Sequence, residues 1–349
     1  MLLHYLGNIM GNIFRVARVD KTATKEIMDE ERRELEAVGG IIEAYDCMNE
    51  DDIIRSAADA DVLTTDGLVI SKRVLESLPK CQAVIRRGVG YDVVDVEAAT
   101  SAQIMVVNIP DFCWEEVSNH VIMLMLAQAK KLIKLNSLVK AGKWAEAKAA
   151  QAPMACIHGE TLGIIGCGKI GKFVARKARC LGMEVIGYDK YLSVEAGAEA
   201  GITMVSYADL LQRSDYITLH TPLCAETFHM LGESELAQVK PTVTIINTSR
   251  GPTIDEPALI RALQERRVAA ACLDVFEQEP IDPANPLLQM DQVTLLPHCA
   301  SYSEAAFSLL RTNAGKEEVR IARGMMPKSL INTSDVPKVR LTPYKPDTE

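Results

Sequence analysis

The fold is decided by residues 161–189, which read TLGIIGCGKIGKFVARKARCLGMEVIGYD. A short apolar run leads into Gly166, Gly168 and Gly171, the G-x-G-x-x-G spacing of a dinucleotide-binding turn. In such a turn the first glycine permits a tight bend, the second allows a pyrophosphate to approach the backbone, and the third lets the next helix lie close to the sheet. The stretch therefore predicts a strand, a glycine turn, a helix whose N-terminus faces a phosphate, and a second strand.

A carboxylate ends the second predicted strand. Asp189 lies eighteen residues after Gly171, where an acid can accept both ribose hydroxyls of NAD. A glycine pattern alone is often an ordinary turn, but the strand, the helix and the acid together favour a dinucleotide site. We therefore predict NAD as the cofactor. The residues predicted to contact it in this stretch are Gly166, Gly168, Lys169, Ile170, Gly171 and Asp189.

Composition narrows the class of protein. A length of 349 residues predicts two domains, and 48% apolar with 24% charged residues is ordinary for a soluble globular chain. The net charge of −9 argues against a nucleic-acid partner, because phosphate binding needs a basic surface. The longest aliphatic run, Val121–Ala127, is too short to span a membrane, so no membrane partner is predicted.

The nine cysteines are scattered along the chain. They form no C-x-x-C pair and no Cys/His cluster at zinc spacing, so neither a disulfide framework nor a metal site is predicted. This pattern favours a reducing compartment, and we expect a cytoplasmic protein.

Strands and helices alternate in both halves of the chain. The predicted strands outside the glycine stretch are Ile13–Val19, Ile41–Tyr45, Asp61–Thr65, Ala83–Arg86, Ile104–Asn108, Tyr216–Leu219, Val243–Ile246, Ala269–Cys272 and Val293–Leu296. This alternation predicts an α/β fold with two Rossmann-like or flavodoxin-like domains, doubly wound parallel sheets and a cleft between them. The substrate (catalytic) domain is expected to comprise residues 1–108 plus 300–349. The NAD-binding Rossmann domain is expected to comprise residues 109–299.

Two predicted helices have unusual surfaces. Lys21–Val38 carries a strongly charged outer face, as an exposed amphipathic helix does. Glu115–Leu132 is apolar nearly all round in its middle, which indicates that both sides are covered. Because a second subunit can supply part of that cover, we predict a homodimer formed through residues 115–150.

Three predicted strands of the second half end in residues that can do chemistry. Arg250 follows one of them, and a guanidinium there can bind a carboxylate through two hydrogen bonds. An acidic segment that includes Glu279 follows the next, and His298 follows the third. Ligands of open α/β sheets bind at the carboxyl ends of strands, so the joint placement favours a site even though each residue alone is unremarkable.

Five motifs in this order resemble the NAD-dependent D-2-hydroxyacid dehydrogenase family over roughly Asp61 to Gly324. They are Gly166–Gly171 with Asp189, His220-Thr221-Pro222, Asn247–Gly251, Leu273–Pro280 and Pro297-His298. The resemblance implies that Arg250 binds the substrate carboxylate and the reacting oxygen. It also implies that His298 is the acid/base and Glu279 its partner. Reduction of a 2-keto acid needs a cation and a proton donor of these kinds.

The same resemblance extends the predicted sites. Asp274 is expected to hold the nicotinamide carboxamide, and the backbone at Val89 and Gly90 to bind the substrate carboxylate. Further residues expected at the cofactor are His220, Thr221, Pro222, Thr227 and Thr248. Asp92-Val93-Val94-Asp95 stands where many members have Asp-Asn-Ile-Asp, which leaves the shape of the carboxylate loop open.

Two functions remain as alternatives. The leading one is a reductase that acts on a small-molecule 2-keto acid or 2-hydroxy acid. The other is an NAD-sensing regulatory protein, because Pro297–Glu304 resembles the branch of the C-terminal binding protein corepressors, with Ser301 in place of that branch's tryptophan. That branch keeps the catalytic trio, so the trio does not separate the two.

Two positions bear on ligand choice. Lys190 directly follows Asp189 and could offset the repulsion between that acid and the 2′-phosphate of NADP. The loop Thr64–Leu68 carries no cation, which predicts an uncharged keto acid rather than a phosphorylated one. Arg87, beside the Gly88–Gly90 turn, is the residue that could change this second prediction.

Overall fold

A computed structural model of the chain describes residues 13–21 and 29–332. The chain divides into two compact units. The first contains residues up to Phe112 and from Ser303 onward, and the second contains Cys113–Tyr302. The boundaries expected from the sequence, after residues 108 and 299, lie four and three residues before these.

The first unit is built on a five-stranded parallel sheet with the strand order β2-β1-β3-β4-β5. The strands are β1 (Arg15–Asp20), β2 (Ile41–Asp46), β3 (Val62–Thr65), β4 (Ala83–Arg86) and β5 (Met105–Asn108). Its described helices are α1 (Asp29–Glu36), α2 (Glu50–Ser56), α3 (Lys72–Glu76), α4 (Val96–Ser101) and α13 (Glu304–Ala322). All four residues of β3 and of β5 are buried, as expected when helices cover both faces of a sheet.

The predicted helix Lys21–Val38 is described from Asp29 only, because residues 22–28 lie outside the described part. Helix α4 was not predicted. It has six residues, VEAATS, and most of them are small, so they show no apolar period. Its start is set by Asp95, whose side chain accepts a hydrogen bond from the Ala98 N–H at 2.9 Å.

Arg87 lies inside the first unit and is only 4% exposed. Its Nε is 2.8 Å from Glu31 Oε1 on α1, and its Nη1 is 3.3 Å from Asp66 Oδ1. Arg18 on β1 contacts the same Asp66 carboxylate at 3.0 Å. The Arg87 guanidinium therefore joins α1 to the loop after β3 and is not presented to solvent beside the glycine turn.

The second unit is built on a seven-stranded parallel sheet with the order β12-β11-β10-β9-β6-β7-β8. The strands are β6 (Thr161–Ile165), β7 (Glu184–Tyr188), β8 (Thr203–Met204), β9 (Tyr216–Leu219), β10 (Thr244–Asn247), β11 (Ala270–Leu273) and β12 (Val293–Leu295). The direction of winding reverses between β6 and β9. In open parallel sheets this reversal marks the place where ligands bind.

The helices of the second unit are α5 (Trp114–Ala129), α6 (Leu132–Lys140), α7 (Trp144–Ala149), α8 (Lys169–Cys180), α9 (Val194–Glu199), α10 (Tyr207–Arg213), α11 (Glu233–Leu236) and α12 (Glu256–Gln264). The predicted helix Glu115–Leu132 is wrong at its end, because Lys131 adopts a left-handed conformation with φ 50° and separates α5 from α6. The described residues also leave part of the apolar surface of α5 uncovered, since Met123 is 48% exposed. None of the described helices is both long and apolar enough to cross a bilayer.

The predicted fold class is confirmed: the chain is α/β, with a Rossmann-like parallel sheet in each unit. Each predicted strand overlaps an observed one, and β9 and β4 have the predicted bounds. In the second unit the carboxyl ends of β6, β7, β9, β10, β11 and β12 carry the residues described next.

Candidate active site

The glycine turn leaves open space where a phosphate group is expected. A Cβ at Gly166, which has φ +89°, would lie 2.8 Å from the His220 carbonyl carbon, and a Cβ at Gly171 would lie 2.5 Å from the Gly166 oxygen. Neither position tolerates a side chain. Gly168 differs, because a Cβ there would meet nothing within 4 Å. Gly168 also caps α8 without a side-chain hydrogen bond, and α8 carries no acid in its first turn. Its N-terminal N–H groups therefore suit a pyrophosphate.

Asp189 joins the glycine turn to the loop after β7. Its Oδ2 accepts a hydrogen bond from the Cys167 N–H at 2.8 Å. Its Oδ1 accepts from Tyr191 at 2.8 Å and from Leu192 at 3.2 Å. Each carboxylate oxygen can accept two hydrogen bonds, so these contacts orient the group, fill Oδ1 and leave capacity at Oδ2 for a ribose hydroxyl.

The loop after β9 contains His220, Thr221, Pro222 and Thr227. His220 Nε2 lies 3.0 Å from Thr218 Oγ1, and burial lowers the pKa of His220 to about 3, so its ring is neutral at physiological pH. Thr227 Oγ1 donates to the Pro222 carbonyl at 2.6 Å. Thr221 Oγ1 is 3.6 Å from Met230 Sδ. The threonines thus shape this loop, and their contacts with a cofactor remain a prediction.

Arg250 follows β10 and is held through its backbone. Its carbonyl accepts hydrogen bonds from Asn247 Nδ2 at 2.9 Å and from Thr253 Oγ1 at 2.7 Å, while its Nη1 donates to the Ser249 carbonyl at 2.8 Å. The hydroxyl of the neighbouring Thr248 is buried, and its Oγ1 has no hydrogen-bond partner among the described residues. A buried hydroxyl of this kind fits a site that a bound ligand completes.

His298 and Glu279 form a close pair. His298 Nδ1 lies 2.7 Å from Glu279 Oε2, and Glu279 Oε1 accepts the Phe276 N–H at 3.0 Å. With Nδ1 bound in this way, Nε2 is the ring atom that can serve a substrate.

The charge of Glu279 follows from its neighbours. Burial raises the pKa of the Glu279 carboxyl, but the hydrogen bond from His298 and the Phe276 N–H lower it. The positive charge of Arg250 acts in the same direction, and the resulting pKa lies below the usual value. Glu279 is therefore a carboxylate at neutral pH, and Arg250 is close enough to act on it. The structure brings these three residues together.

Asp274 is buried and holds the turn that carries His298. Its Oδ1 accepts the Cys299 N–H at 2.9 Å and its Oδ2 accepts the Ala300 N–H at 2.8 Å. The His298 N–H also donates to the Asp274 carbonyl at 2.8 Å. His298 has a positive φ of 53°, a conformation that needs such support. The sequence offered no sign of this role, since the partners are 25 and 26 residues away. The contact between Asp274 and the nicotinamide carboxamide remains a prediction.

His120, on α5, also faces Asp274. Its Nε2 is 3.6 Å from Asp274 Oδ1, and His120, Asp274 and Cys299 bring possible ligand atoms within 4.8 Å of one another. Burial lowers the pKa of His120, against the opposing effect of the Asp274 charge. The sequence predicted no metal site, because these residues are too far apart along the chain to form a recognisable pattern.

Val89 and Gly90, predicted to bind the substrate, follow β4 in the first unit. Both are partly buried, and the Val89 carbonyl accepts a hydrogen bond from Asn108 Nδ2 at 2.6 Å. This contact fixes the turn against β5. A substrate contact there remains a prediction.

The chain is similar to a defined group of known proteins. Residues 122–300 match the family model described as D-isomer specific 2-hydroxyacid dehydrogenase, NAD binding domain. A glyoxylate reductase from Korarchaeum cryptofilum is 40% identical over 295 residues, which are 82% of this chain and 87% of that protein. A D-3-phosphoglycerate dehydrogenase from Methanocaldococcus jannaschii is 36% identical over 314 residues, which are 89% of this chain and 59% of that protein.

A solved structure shows the same architecture. The NADPH-dependent glyoxylate/hydroxypyruvate reductase from Sinorhizobium meliloti, in complex with NADP and malonate, has a TM-score of 0.82 at 26% identity and covers 93% of this chain and 98% of that chain. The matched residues 122–300 contain Asp189, Arg250, Glu279 and His298.

Proposed function

Because the chain belongs to the D-isomer specific 2-hydroxyacid dehydrogenase family, we propose that it reduces a small 2-keto acid that carries no charge beyond its carboxylate, such as glyoxylate, with NADH. The reverse reaction oxidises the corresponding D-2-hydroxy acid. The observation that carries the proposal is the 2.7 Å pair of His298 and Glu279, with Arg250 near enough to act on the same carboxylate.

Each residue of this trio has a separate task. Arg250 binds the substrate carboxylate and polarises the keto oxygen, because its planar fork of donors can serve two oxygens at once. His298 gives a proton from Nε2 to that oxygen as it becomes a hydroxyl. Glu279 stabilises the imidazolium through Nδ1 and fixes the plane of the ring.

The cofactor residues fit a nicotinamide dinucleotide. Gly168 and the N-terminus of α8 would hold its pyrophosphate, Asp189 its ribose, and Thr248 a group near β10. The bound cofactor supplies the hydride for reduction. Asp189 also favours NADH over NADPH, since a carboxylate about 4 Å from a phosphate charge costs about 4 kcal/mol at an effective dielectric of about 20.

The substrate test is a panel of 2-keto acids assayed by loss of NADH absorbance. We expect kcat/KM for glyoxylate, pyruvate or hydroxypyruvate to exceed that for 3-phosphohydroxypyruvate by at least about tenfold, because a phosphate needs charge-assisted bonds that the loop after β3 does not provide. Arg87 and Arg18 both contact the Asp66 carboxylate, and each also pairs with a buried carboxylate, Glu31 for Arg87 and Asp20 for Arg18. A preference for the phosphorylated compound would contradict the prediction, and failure of every keto acid would contradict the proposed function.

The pH profile tests the pairing of His298 with Glu279. Reduction needs the imidazolium, so its rate should fall as pH rises, whereas oxidation needs the neutral ring and should grow. In Glu279→Gln the carboxylate that favours the imidazolium is lost, so both limbs should move toward acid. Rates measured from pH 5 to 10 in both directions check this. Limbs that coincide with those of the wild type would show that Glu279 does not act on His298.

We also infer a homodimer through residues 115–150. Helix α6 buries none of its side chains within the described chain. Several apolar side chains of this region are strongly exposed, namely Leu132, Ile133, Val139 and Trp144. A second copy would cover them. Light scattering should give twice the chain mass of 38.2 kDa, and a monomeric mass at micromolar concentration would exclude the dimer.

The corepressor alternative is not favoured, because the relatives described above are a glyoxylate reductase and a D-3-phosphoglycerate dehydrogenase. No disulfide joins any of the nine cysteines, which supports a reducing compartment such as the cytoplasm.

A further inference from the structure

An ion pair joins the two loops that border the proposed ribose site. Glu226, in the loop after β9, has its Oε1 2.7 Å from Lys190 Nζ. Its other oxygen, Oε2, accepts a hydrogen bond from the Tyr191 hydroxyl at 3.3 Å. Lys190 and Tyr191 directly follow Asp189, whose Oδ1 accepts the Tyr191 N–H. One carboxylate therefore engages both side chains of the turn that Asp189 anchors.

The position of Lys190 makes this pair relevant to the choice of cofactor. A cation just after the ribose acid can bind the 2′-phosphate that distinguishes NADP from NAD. Lys190 stands at this place in the chain, but its ammonium is directed to Glu226 on the neighbouring loop. The Lys190 hydrogen bond in turn keeps the pKa of Glu226 below its usual value, so the pair is ionised at neutral pH.

We propose that Glu226 is a specificity-determining residue that holds Lys190 and Tyr191 away from the 2′ position and so withholds the lysine ammonium from NADP. The proposal rests on the proposed function insofar as Asp189 is taken to bind ribose. It differs from the repulsion by Asp189, since it acts by occupying a lysine and not by adding a charge next to the phosphate. Removal of the Glu226 carboxylate should therefore increase the affinity for NADPH even when Asp189 is intact.

The test measures binding by calorimetry, with NADH, NADPH and adenosine 2′,5′-bisphosphate as the probes. For Glu226→Gln we expect NADPH and the bisphosphate to bind ~5-fold more tightly, a size typical of an exposed charge pair, while NADH affinity changes by less than about twofold. A gain of about threefold or more for the bisphosphate supports the proposal, and a smaller gain overturns it.

Two further variants separate the lysine from a general loss of negative charge. In the double variant Glu226→Gln with Lys190→Gln, the gain should disappear, because the lysine ammonium that would bind the 2′-phosphate is also removed. Persistence of the gain there would overturn the proposal. Glu265→Gln is the matched control, since Glu265 is an exposed glutamate paired to Arg267 at the same 2.7 Å distance. It should leave all three affinities within about twofold of wild type.

The cofactor ratio in the keto acid assay distinguishes this inference from the proposed function. If the enzyme reduces keto acids but Glu226→Gln does not raise kcat/KM with NADPH, the inference alone fails. If no keto acid is reduced but the calorimetric gain and its loss in the double variant are both seen, the inference stands without the proposed substrate.

Discussion

Replacement of Arg250 by lysine should lower kcat/KM for the 2-keto acid by roughly a thousandfold, since two charge-assisted hydrogen bonds of about 1.5–3 kcal/mol each depend on its planar fork. Lysine keeps the positive charge but presents a single point donor, which cannot orient carboxylate and keto oxygen together. The loss should therefore appear in kcat as well as in KM, because the misplaced carbonyl is poorly aligned for the hydride and the proton.

The control for this prediction is Arg261→Lys. Arg261 also grips a carboxylate through two nitrogens, with Nε 3.2 Å and Nη2 2.8 Å from Glu233 Oε2, but it is exposed on α12 outside the candidate site. Steady-state rates of this variant should stay within about twofold of wild type, as for most exposed ion pairs. NADH binding should be retained in both variants. If kcat/KM of Arg250→Lys falls by less than about tenfold, a point charge suffices, and Arg250 does not bind the substrate through two hydrogen bonds.

The fold could be predicted from the sequence because its determinants are local. Most of the strands are short segments rich in apolar residues between turn residues, and the glycine spacing at 166, 168 and 171 encodes a turn whose geometry forbids side chains at two of the three positions. The order of the motifs then places Arg250 after β10 and His298 after β12 at the same edge of the sheet, with β11 between them, because the carboxyl ends of parallel strands share an edge. Nothing beyond pattern and topology is needed for these steps.

The features that the sequence did not predict depend on contacts between residues that are distant along the chain. The interruption at Lys131 requires a left-handed residue, and a lysine gives no sign of that conformation. Arg87 is neutralised by Glu31, 56 positions earlier, so its burial could not be read from the loop beside it. Glu226 meets Lys190 across 36 positions, and Asp274 supports the His298 turn from the end of another strand. Tertiary packing determines these side-chain partners, so a local sequence pattern does not indicate them.

Replacement of His298 by glutamine should reduce kcat for keto acid reduction on the order of a thousandfold, within the range of positioned general acids. Glutamine can still offer an N–H toward Glu279, so the pair can keep a hydrogen bond, but its amide cannot deliver a proton at neutral pH. The substitution leaves Arg250, the proposed anchor of the substrate carboxylate, and the glycine turn unchanged. KM and NADH affinity should therefore change far less than kcat, which separates proton transfer from binding.

The pH dependence gives the sharper readout for the same variant. If His298 is the acid, its replacement removes the titrating group, so the fall in reduction rate with rising pH should disappear along with most of the rate. His158→Gln is the matched control, because His158 is an exposed histidine of the same unit outside the candidate active site. The pH profile of this variant should follow that of the wild type. A His298→Gln enzyme that kept both the wild-type limb and more than about a tenth of kcat would transfer the acid role to another group. The neighbouring candidate is His120, but burial lowers its pKa, so it would be a poor proton donor at neutral pH.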